Sequence, residues 1–198
     1  MLKVENVETW GFEQAVDSLK GPFSIKSDSG WIEDWSARVE RPGYRYYKIG
    51  EKDLAIMRKL CKLSVAHRQF LNYIHFSMDV TSPLSWWKGI SKEDVSSAGG
   101  IFDNPIEASD FDWQDASEEI AEECEALRKE YLETHDFKKW KELLEKLPES
   151  YKQKRTLTMS YAKAYDIINT SHEDDTKEWD DFTESLKNLP YMINFVAC

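Results

Sequence analysis

The sequence lacks the features that mark several classes of protein. No apolar segment approaches the roughly 20 residues that a membrane-spanning helix needs, so we expect no membrane insertion. The start, MLKVENVETW, lacks the basic end and long apolar core of a signal peptide. A Walker loop and the GxGxxG, HExxH and CxxC motifs are also missing. We therefore expect neither a metal site nor a nucleotide fingerprint of these kinds.

Cysteine is scarce, and its spacing carries no pattern. Cys61, Cys124 and Cys198 form an odd, widely spaced set. Three such residues provide no metal-ligand spacing and no disulfide framework. The expectation is a reducing, cytoplasmic environment.

Positive charge is also in short supply. The chain has 26 Lys and Arg residues against 37 Asp and Glu residues, a net charge of −11. Because contacts with nucleic-acid phosphates need a basic face, we expect no direct nucleic-acid binding. A small anionic ligand held by a few local cations remains compatible with this charge. The length of 198 residues predicts a single domain, 1–198.

The most informative segment is CKLSVAHRQFLNYIHFSMDVTSPLSWWK, from Cys61 to Lys88. From Ile74 to Val80 apolar and polar residues alternate, which predicts a half-buried strand. Pro83 should end that strand, because proline cannot donate to a ladder. Leu84, Trp86 and Trp87 then begin an apolar segment that is typical of a helix start.

Other segments show helical or strand periodicity along the whole chain. We predict a strand at Leu2–Val7 and an α-helix at Trp10–Leu19 that ends at Gly21 and Pro22. The remaining predicted helices are Glu51–Val65, Asp115–His135, Phe137–Leu147, Thr156–Ile168 and Glu173–Leu186. The polar, Gly-rich stretch after Trp87 predicts a loop or lid. The acidic run Glu107–Glu125 is typical of a solvated face, and a partner-binding surface is the alternative.

Two short segments could contribute to a ligand site. Ser27–Gly30 has the side chains of a turn, although short polar side chains there could also cap a helix or contact a ligand. The segment Trp31–Tyr47 carries Arg38, Arg41 and Arg45 among tyrosines. It predicts a solvated strand or hairpin, and an anion-binding arm is the alternative.

The segment from His67 to Pro83 resembles the corresponding region of the flavin-dependent thymidylate synthases. That region has a histidine after a small residue, a Phe-rich strand and then a proline or serine. LTMSYAKAYDIIN is similar to the family's Thr-hydrophobic-Asn-x-Arg helix, and Trp179 falls near its Gln-Trp-Glu segment. SLKGP, SDS and LPESYKQKRT are similar to phage and prophage relatives. The resemblance implies an α+β fold with a small sheet packed with several helices, and a tetramer.

The residues that would carry the family's chemistry differ. The Arg-His-Arg signature, which binds flavin phosphates and substrate, falls on Lys92, Glu93 and Asp94. Two carboxylates there would repel a pyrophosphate. The family's C-terminal Asn and Arg fall on Ser160 and Ala162, and a later arginine falls on Ser171 or His172. None of these side chains replaces an arginine fork.

We therefore predict a thymidylate-synthase-like fold that has lost the thymidylate chemistry and binds no cofactor. The predicted function is non-catalytic nucleotide binding, for example by a phage protein that sequesters a nucleotide signal of host defence. One alternative is a diverged nucleotide- or flavin-dependent enzyme that uses His67, His75 or His172 as acid or base. The other is an acidic protein that binds a host protein or mimics DNA.

The ligand's anionic part is predicted near His67, Arg68 and Lys88. His67 and Lys88 fall where the resemblance implies a flavin contact and an arginine. Arg155, or the arm from Arg38 to Arg45 of a neighbouring subunit, would assist. The alternative is that His67 caps its own helix while Arg68 and Lys88 are solvated. A homo-oligomer, a dimer or tetramer, is expected from the resemblance and from apolar Trp86 and Trp87.

Overall fold

The computed structural model describes residues 2–23, 26–34, 44–90, 96–99, 116–170 and 176–196. Within them the strands are β1 (Lys3–Trp10), β2 (Gly30–Asp34), β3 (Tyr44–Lys48), β4 (His75–Pro83), β5 (Ser96–Gly99) and β6 (Lys152–Ser160). The helices are α1 (Phe12–Phe23), α2 (Glu51–Cys61), α3 (Leu84–Ile90), α4 (Glu118–Thr134), α5 (Phe137–Lys146), α6 (Tyr161–Asn169), α7 (Lys177–Lys187) and α8 (Met192–Val196). A 3₁₀ helix covers Val65–Asn72. The predicted α+β class is confirmed.

Two sheets form from these strands. Four strands lie in the order β1-β4-β6-β5, and β2 pairs antiparallel with β3 as a separate ribbon. Contacts divide the chain into two compact units. Unit 1 comprises 1–6, 78–157 and 176–181, and unit 2 comprises 7–77, 158–175 and 182–198. The prediction of a single domain stays a prediction.

Strand β4 follows the predicted alternation. Phe76, Met78 and Val80 are fully buried, and the residues between them are half-buried. Pro83 is its last residue and α3 begins at Leu84, as the sequence predicts. Burial of one large apolar side chain contributes about 1.5–3 kcal/mol, so this face accounts for much of the strand's stability.

In unit 1, Asp79 of β4 ties three neighbouring strands together. Its carboxylate accepts from Asn6 Nδ2 at 2.8 Å and from Thr156 Oγ1 at 2.7 Å, and Lys154 Nζ lies 3.3 Å away. These hydrogen bonds, that of Asn6 first, lower the pKa of Asp79. The carboxylate thereby aligns β1 and β6 on either side of β4.

Unit 1 also contains two apolar clusters. Cys124 and Leu127 of α4 pack with Trp140 and Leu143 of α5. The second cluster surrounds Trp86, whose ring lies 5.0 Å from that of Trp87 and 5.6 Å from that of Trp179. Trp86 and Trp87 are 4% and 2% exposed, so a single chain covers both. These tryptophans therefore give no support to an oligomer, and that expectation now rests on the resemblance alone.

The core of unit 2 is built around Tyr161 at the start of α6. Its ring meets Phe12 and Phe76 edge-on, at 5.8 and 6.0 Å. Its hydroxyl donates to the carbonyl of Pro190 at 3.0 Å, and its backbone N–H donates to that of Ile74 at 2.8 Å. Burial raises the pKa of the Tyr161 phenol. The hydroxyl therefore acts as a permanent donor.

Several predicted elements differ from the structure. Thr156–Ile168 is not one helix, because β6 extends to Ser160 before α6 begins. In the segment Thr-Leu-Thr-Met-Ser, polar and apolar residues alternate, and the apolar Leu157 and Met159 are buried. This period of two is typical of a strand. The predicted loop after Trp87 contains β5, while α1 continues through Gly21 and Pro22.

Two helix details also differ from prediction. Helix α2 ends at Cys61, and a separate 3₁₀ helix begins at Val65. The apolar spacing within Asp115–His135 predicts that Ile120, Cys124 and Leu127 face inward on α4. Cys124 and Leu127 are buried, whereas Ile120 is 40% exposed. Ile120 lies in the first turn of α4 and is not part of the apolar cluster that α4 and α5 share.

Candidate functional site

The β2–β3 ribbon of unit 2 presents an aromatic and basic face. Trp31 pairs with Tyr47 across the ribbon, and Glu33 pairs with Arg45. Alternate residues of a strand share a face, so these four side chains lie on the same side. The rings of Trp31 and Tyr47 meet edge-on with centroids 5.6 Å apart. The described part of Trp31–Tyr47 is thus a hairpin-like ribbon, as predicted.

Arg45 is held in place by two of these neighbours. Its guanidinium carbon lies 5.3 Å from the centroid of the Trp31 ring, within the range of a cation–π contact. Its Nε lies 3.7 Å from Glu33 Oε1, with both side chains more than half exposed. Such an exposed ion pair is weak, so Arg45 can exchange Glu33 for another anion.

The junction between β1 and α1 brings a second tryptophan to this region. Gly11 has a φ of +90°, and a Cβ there would lie 1.9 Å from the carbonyl oxygen of Tyr73. Only glycine permits this close approach. Trp10, just before it, stacks on His75 with centroids 5.9 Å apart and planes 13° from parallel, and it remains 45% exposed.

Tyr191 completes the region from the C-terminal side. It adopts a φ of +62° just before α8. Its hydroxyl accepts a hydrogen bond from the Ile49 N–H at 3.1 Å, and its ring meets Phe12 edge-on at 5.6 Å. These contacts fix its ring against the start of α1.

These residues enclose a cavity of about 700 Å³, here called the aromatic cavity. Its volume lies in the range of small-molecule sites. Of the described residues that line it, six are aromatic, one is charged, and the other four are small or polar: Trp10, Phe12, Trp31, Tyr46, Tyr47 and Tyr191; Arg45; and Thr9, Gly11, Gln14 and Pro190. Planar rings beside one guanidinium suit a ligand with an aromatic ring and an anionic group.

A polar network supports the ribbon from the N-terminus of α2. Asp28 accepts from the N–H groups of Lys52 at 3.1 Å and Asp53 at 3.3 Å, and these bonds lower its pKa. Ser27 and Ser29 donate to the buried Asp53 carboxylate at 2.5 Å each. The segment before β2 therefore caps a helix, which was the alternative to a simple turn.

Gly50 precedes α2, and the close approach of Asp28 explains why this position is a glycine. A Cβ on Gly50 would lie 2.2 Å from Asp28 Oδ1 and 2.6 Å from the Asp28 carbonyl carbon. The capping segment, and with it Trp31 in the next strand, is thereby fixed to α2.

His67 and Arg68, two of the predicted ligand residues, lie in the 3₁₀ helix of unit 2. His67 is exposed, and its Nδ1 lies 2.9 Å from Ser64 Oγ, so it takes part in a local contact at the helix start. Arg68 lies over the ring of Tyr165 at 4.7 Å and 3.4 Å from Asp166 Oδ1. Neither side chain lines the aromatic cavity.

Lys88 and Arg155 lie in unit 1. Lys88 forms an exposed ion pair with Glu149. Arg155 stacks on Trp87 at 5.0 Å, and its Nε and Nη2 donate to Gln153 Oε1 at 3.1 and 2.6 Å. Burial lowers the pKa of Arg155. Among the predicted cations that the structure describes, Arg45 is the one that lines the aromatic cavity.

Several predicted positions lie outside the described residues. They are Arg38, the signature positions Lys92, Glu93 and Asp94, and the later positions Ser171 and His172. Ser160, where the resemblance implies an asparagine, caps α6: its Oγ accepts from the Lys163 N–H at 3.3 Å. Ala162 is half-buried within that helix. Neither residue supplies the arginine fork that a flavin phosphate would need.

The described residues show two further absences. No group of three or more His, Cys, Asp or Glu side chains among them could hold a metal ion. In the same part of the chain, every helix is too short or too polar to cross a lipid bilayer.

Trp10, Phe12 and Tyr191 were missed as site residues by sequence reasoning. They come from opposite ends of the chain, and each reads locally as an ordinary apolar residue. One signal was available at Gly11, because an isolated glycine between a strand and a helix often marks a close backbone approach.

Solved structures with the same fold belong to the flavin-dependent thymidylate synthases. One crystal structure of thymidylate synthase X from Helicobacter pylori with FAD and dUMP matches with a TM-score of 0.65 and 13% identity. The match covers 99% of this chain and 97% of that one. A second, of the flavin-dependent enzyme from the same organism complexed with FAD and dUMP, gives 0.64 and 15%, over 98% and 99%.

Comparisons of sequence alone give no match. No family model matches the chain, and neither does any curated protein. The chain therefore has the fold of the flavin-dependent thymidylate synthases, and the fold that the resemblance implies is confirmed.

Proposed function

We propose that this chain binds a nucleotide in the aromatic cavity and does not turn it over. The observation that carries the proposal is the convergence of Trp10, Trp31 and Tyr47 beside Arg45. Stacking on an aromatic side chain contributes about 1–3 kcal/mol per base. The guanidinium offers a bidentate donor for a phosphate oxygen pair.

The distribution of charge also favours the aromatic cavity as the binding site for an anion. The protein carries a net charge of −11, so long-range attraction cannot gather a nucleotide. Of the residues that the structure describes, Arg45 is the sole charged one that lines the aromatic cavity. The phosphate of a bound nucleotide would contact the Arg45 guanidinium directly. The base of the same nucleotide would replace water on the aromatic rings that line the cavity.

The absence of turnover follows from the substituted signature. Glu93 and Asp94 stand where the resemblance places a histidine and an arginine, and Ser160 and Ala162 replace another Asn and Arg. Two added carboxylates disfavour a flavin pyrophosphate. The fold is retained, while the groups that would hold the flavin are replaced. Binding without turnover suits sequestration of a nucleotide signal, such as one of host defence that a phage protein removes.

Calorimetry against nucleotides, cyclic dinucleotides and dinucleotide cofactors tests the proposal. Arg45→Ala should weaken binding about tenfold or more, since a charge-assisted hydrogen bond contributes about 1.5–3 kcal/mol. His67→Ala and Lys88→Ala run beside it, because the cluster of His67, Arg68 and Lys88 stays a prediction. Loss of binding in those variants alone would move the site there. The bound nucleotide should be recovered chemically intact, and its conversion would favour the alternative of an enzyme.

A second candidate function follows from the acidic face of α4. Glu118, Glu119, Glu122 and Glu123 are exposed there, and Glu123 pairs with Lys146. Such a face could bind a basic partner. Changing all four to lysine should abolish capture of such a partner and leave nucleotide binding unchanged. Capture of the same partner by the parent and by this variant would exclude the acidic face as its docking surface.

A further inference from the structure

We infer that the aromatic cavity selects nucleotides with a single negative charge, such as cyclic monophosphates and other phosphodiesters, over nucleotides with several. This inference rests on the proposed function and names the ligand class for the same cavity. The first observation is the number of cationic side chains that line the cavity. Among the described residues, Arg45 alone is charged in the cavity lining, and its guanidinium fork matches one phosphate group.

Two carboxylates contact residues that line the cavity. Glu13 accepts a hydrogen bond from Trp31 Nε1 at 3.1 Å, and Glu33 lies 3.7 Å from Arg45 Nε. Neither carboxylate lines the cavity itself. A first phosphate displaces Glu33 from Arg45. Each additional phosphate charge then meets these carboxylates and, in the part of the chain that the structure describes, no further lining cation.

Tyr47, on the same face of the ribbon as Arg45, lies in the same electrostatic environment. Its pKa is raised, first by burial, and further by the carboxylates of Asp17, Glu13 and Asp53, while Lys20 opposes them. Three carboxylates and one ammonium group therefore act on this ring. A multiply charged phosphate chain would extend into that environment, where like charges repel at short range with little screening.

Calorimetry with one base in four charge states tests this inference at low ionic strength. The series is the nucleoside, its 3′,5′-cyclic monophosphate, its 5′-monophosphate and its triphosphate. The cyclic monophosphate should bind about tenfold more tightly than the nucleoside, because it gains the contact with Arg45. The triphosphate should bind about tenfold more weakly than the cyclic form, and added salt should narrow that gap.

Two glutamate variants of equal net charge locate the effect. Glu33→Gln removes the carboxylate beside Arg45 and should raise triphosphate affinity at least about threefold, with the nucleoside within about twofold. Glu133→Gln, on the exposed surface of α4, makes the same change in net charge and should leave all four affinities within about twofold. Equal effects of the two variants would contradict selection by the cavity.

The outcomes separate this inference from the proposed function. Both the inference and the proposed function are supported if the cyclic monophosphate binds most tightly and Glu33→Gln raises the affinity for the triphosphate. A triphosphate that binds as tightly as the cyclic form, or more tightly, overturns the inference and leaves nucleotide binding standing. Failure of every member of the series, and of the cyclic dinucleotides and dinucleotide cofactors, overturns both.

Discussion

The guanidinium of Arg45 lies over the indole ring of Trp31, 5.3 Å from its centroid. The two residues are diagonal neighbours across the β2–β3 ribbon, so backbone pairing fixes their contact. One offers a flat apolar surface and the other a phosphate-binding fork. Together they supply two parts of a nucleotide site at the wall of one cavity.

Trp31→Ala should weaken nucleotide binding by about fivefold to a hundredfold, the range that follows from losing one stacked ring. Trp31 is 49% exposed, so folding should survive the change. The measurement is calorimetry with the nucleotide that binds the parent. Phe137→Ala is the matched control, because Phe137 is 70% exposed on α5 and does not line the cavity. Equal losses in both variants would argue against a specific role for Trp31.

Asp28→Asn should lower the melting temperature at neutral pH by roughly 1–4 °C, because the positive N-terminal end of α2 loses a negatively charged partner. The cap lowers the pKa of Asp28 below its ordinary value of 3.8, so its contribution is present above that value. It is lost as the pH falls through the lower, folded-state pKa. The difference between parent and variant should therefore shrink in acid. A difference that stays constant down to pH 2 would show that charge at Asp28 is not its source.

Tyr161→Phe should destabilise the protein by about 1–2 kcal/mol, since the buried carbonyl of Pro190 loses its donor. Urea denaturation at equilibrium measures the change. Tyr73→Phe is the control, because Tyr73 is 51% exposed. An unchanged midpoint for Tyr161→Phe would mean that water replaces the hydroxyl without cost.

The purified protein should be colourless and should make no thymidylate, because Glu93 and Asp94 stand where the resemblance implies residues that hold the flavin. Visible absorbance and a deoxyuridylate methylation assay measure the two properties. A yellow preparation with stoichiometric flavin would remove the argument from the substituted signature.

The sequence predicted strand β4 well because its cue is local. Phe76, Met78 and Val80 alternate with polar residues, and Pro83 marks the end. Strand β6 was missed because it opens with Lys-Gln-Lys-Arg, and Gln153 is buried although it is polar. A buried glutamine breaks the hydrophobic pattern on which periodicity depends.

The aromatic cavity was predictable only in part. Arg45 and Tyr47 belong to a segment that the sequence marks as basic and aromatic, and the β2–β3 ribbon places both residues on one wall of the cavity. Trp10 and Tyr191 reach the same cavity through a glycine close approach and a left-handed turn. Such long-range convergence leaves no periodic trace in the sequence.

The most direct test of the account is the response of the tryptophan indole N–H signals in a nucleotide titration followed by NMR. Assignment uses single Trp→Phe variants among the eight tryptophans. The account predicts that the signals of Trp10 and Trp31 shift with saturation, while those of Trp86 and Trp87 stay in place. No shift with any nucleotide, or shifts confined to Trp86 and Trp87, would contradict it.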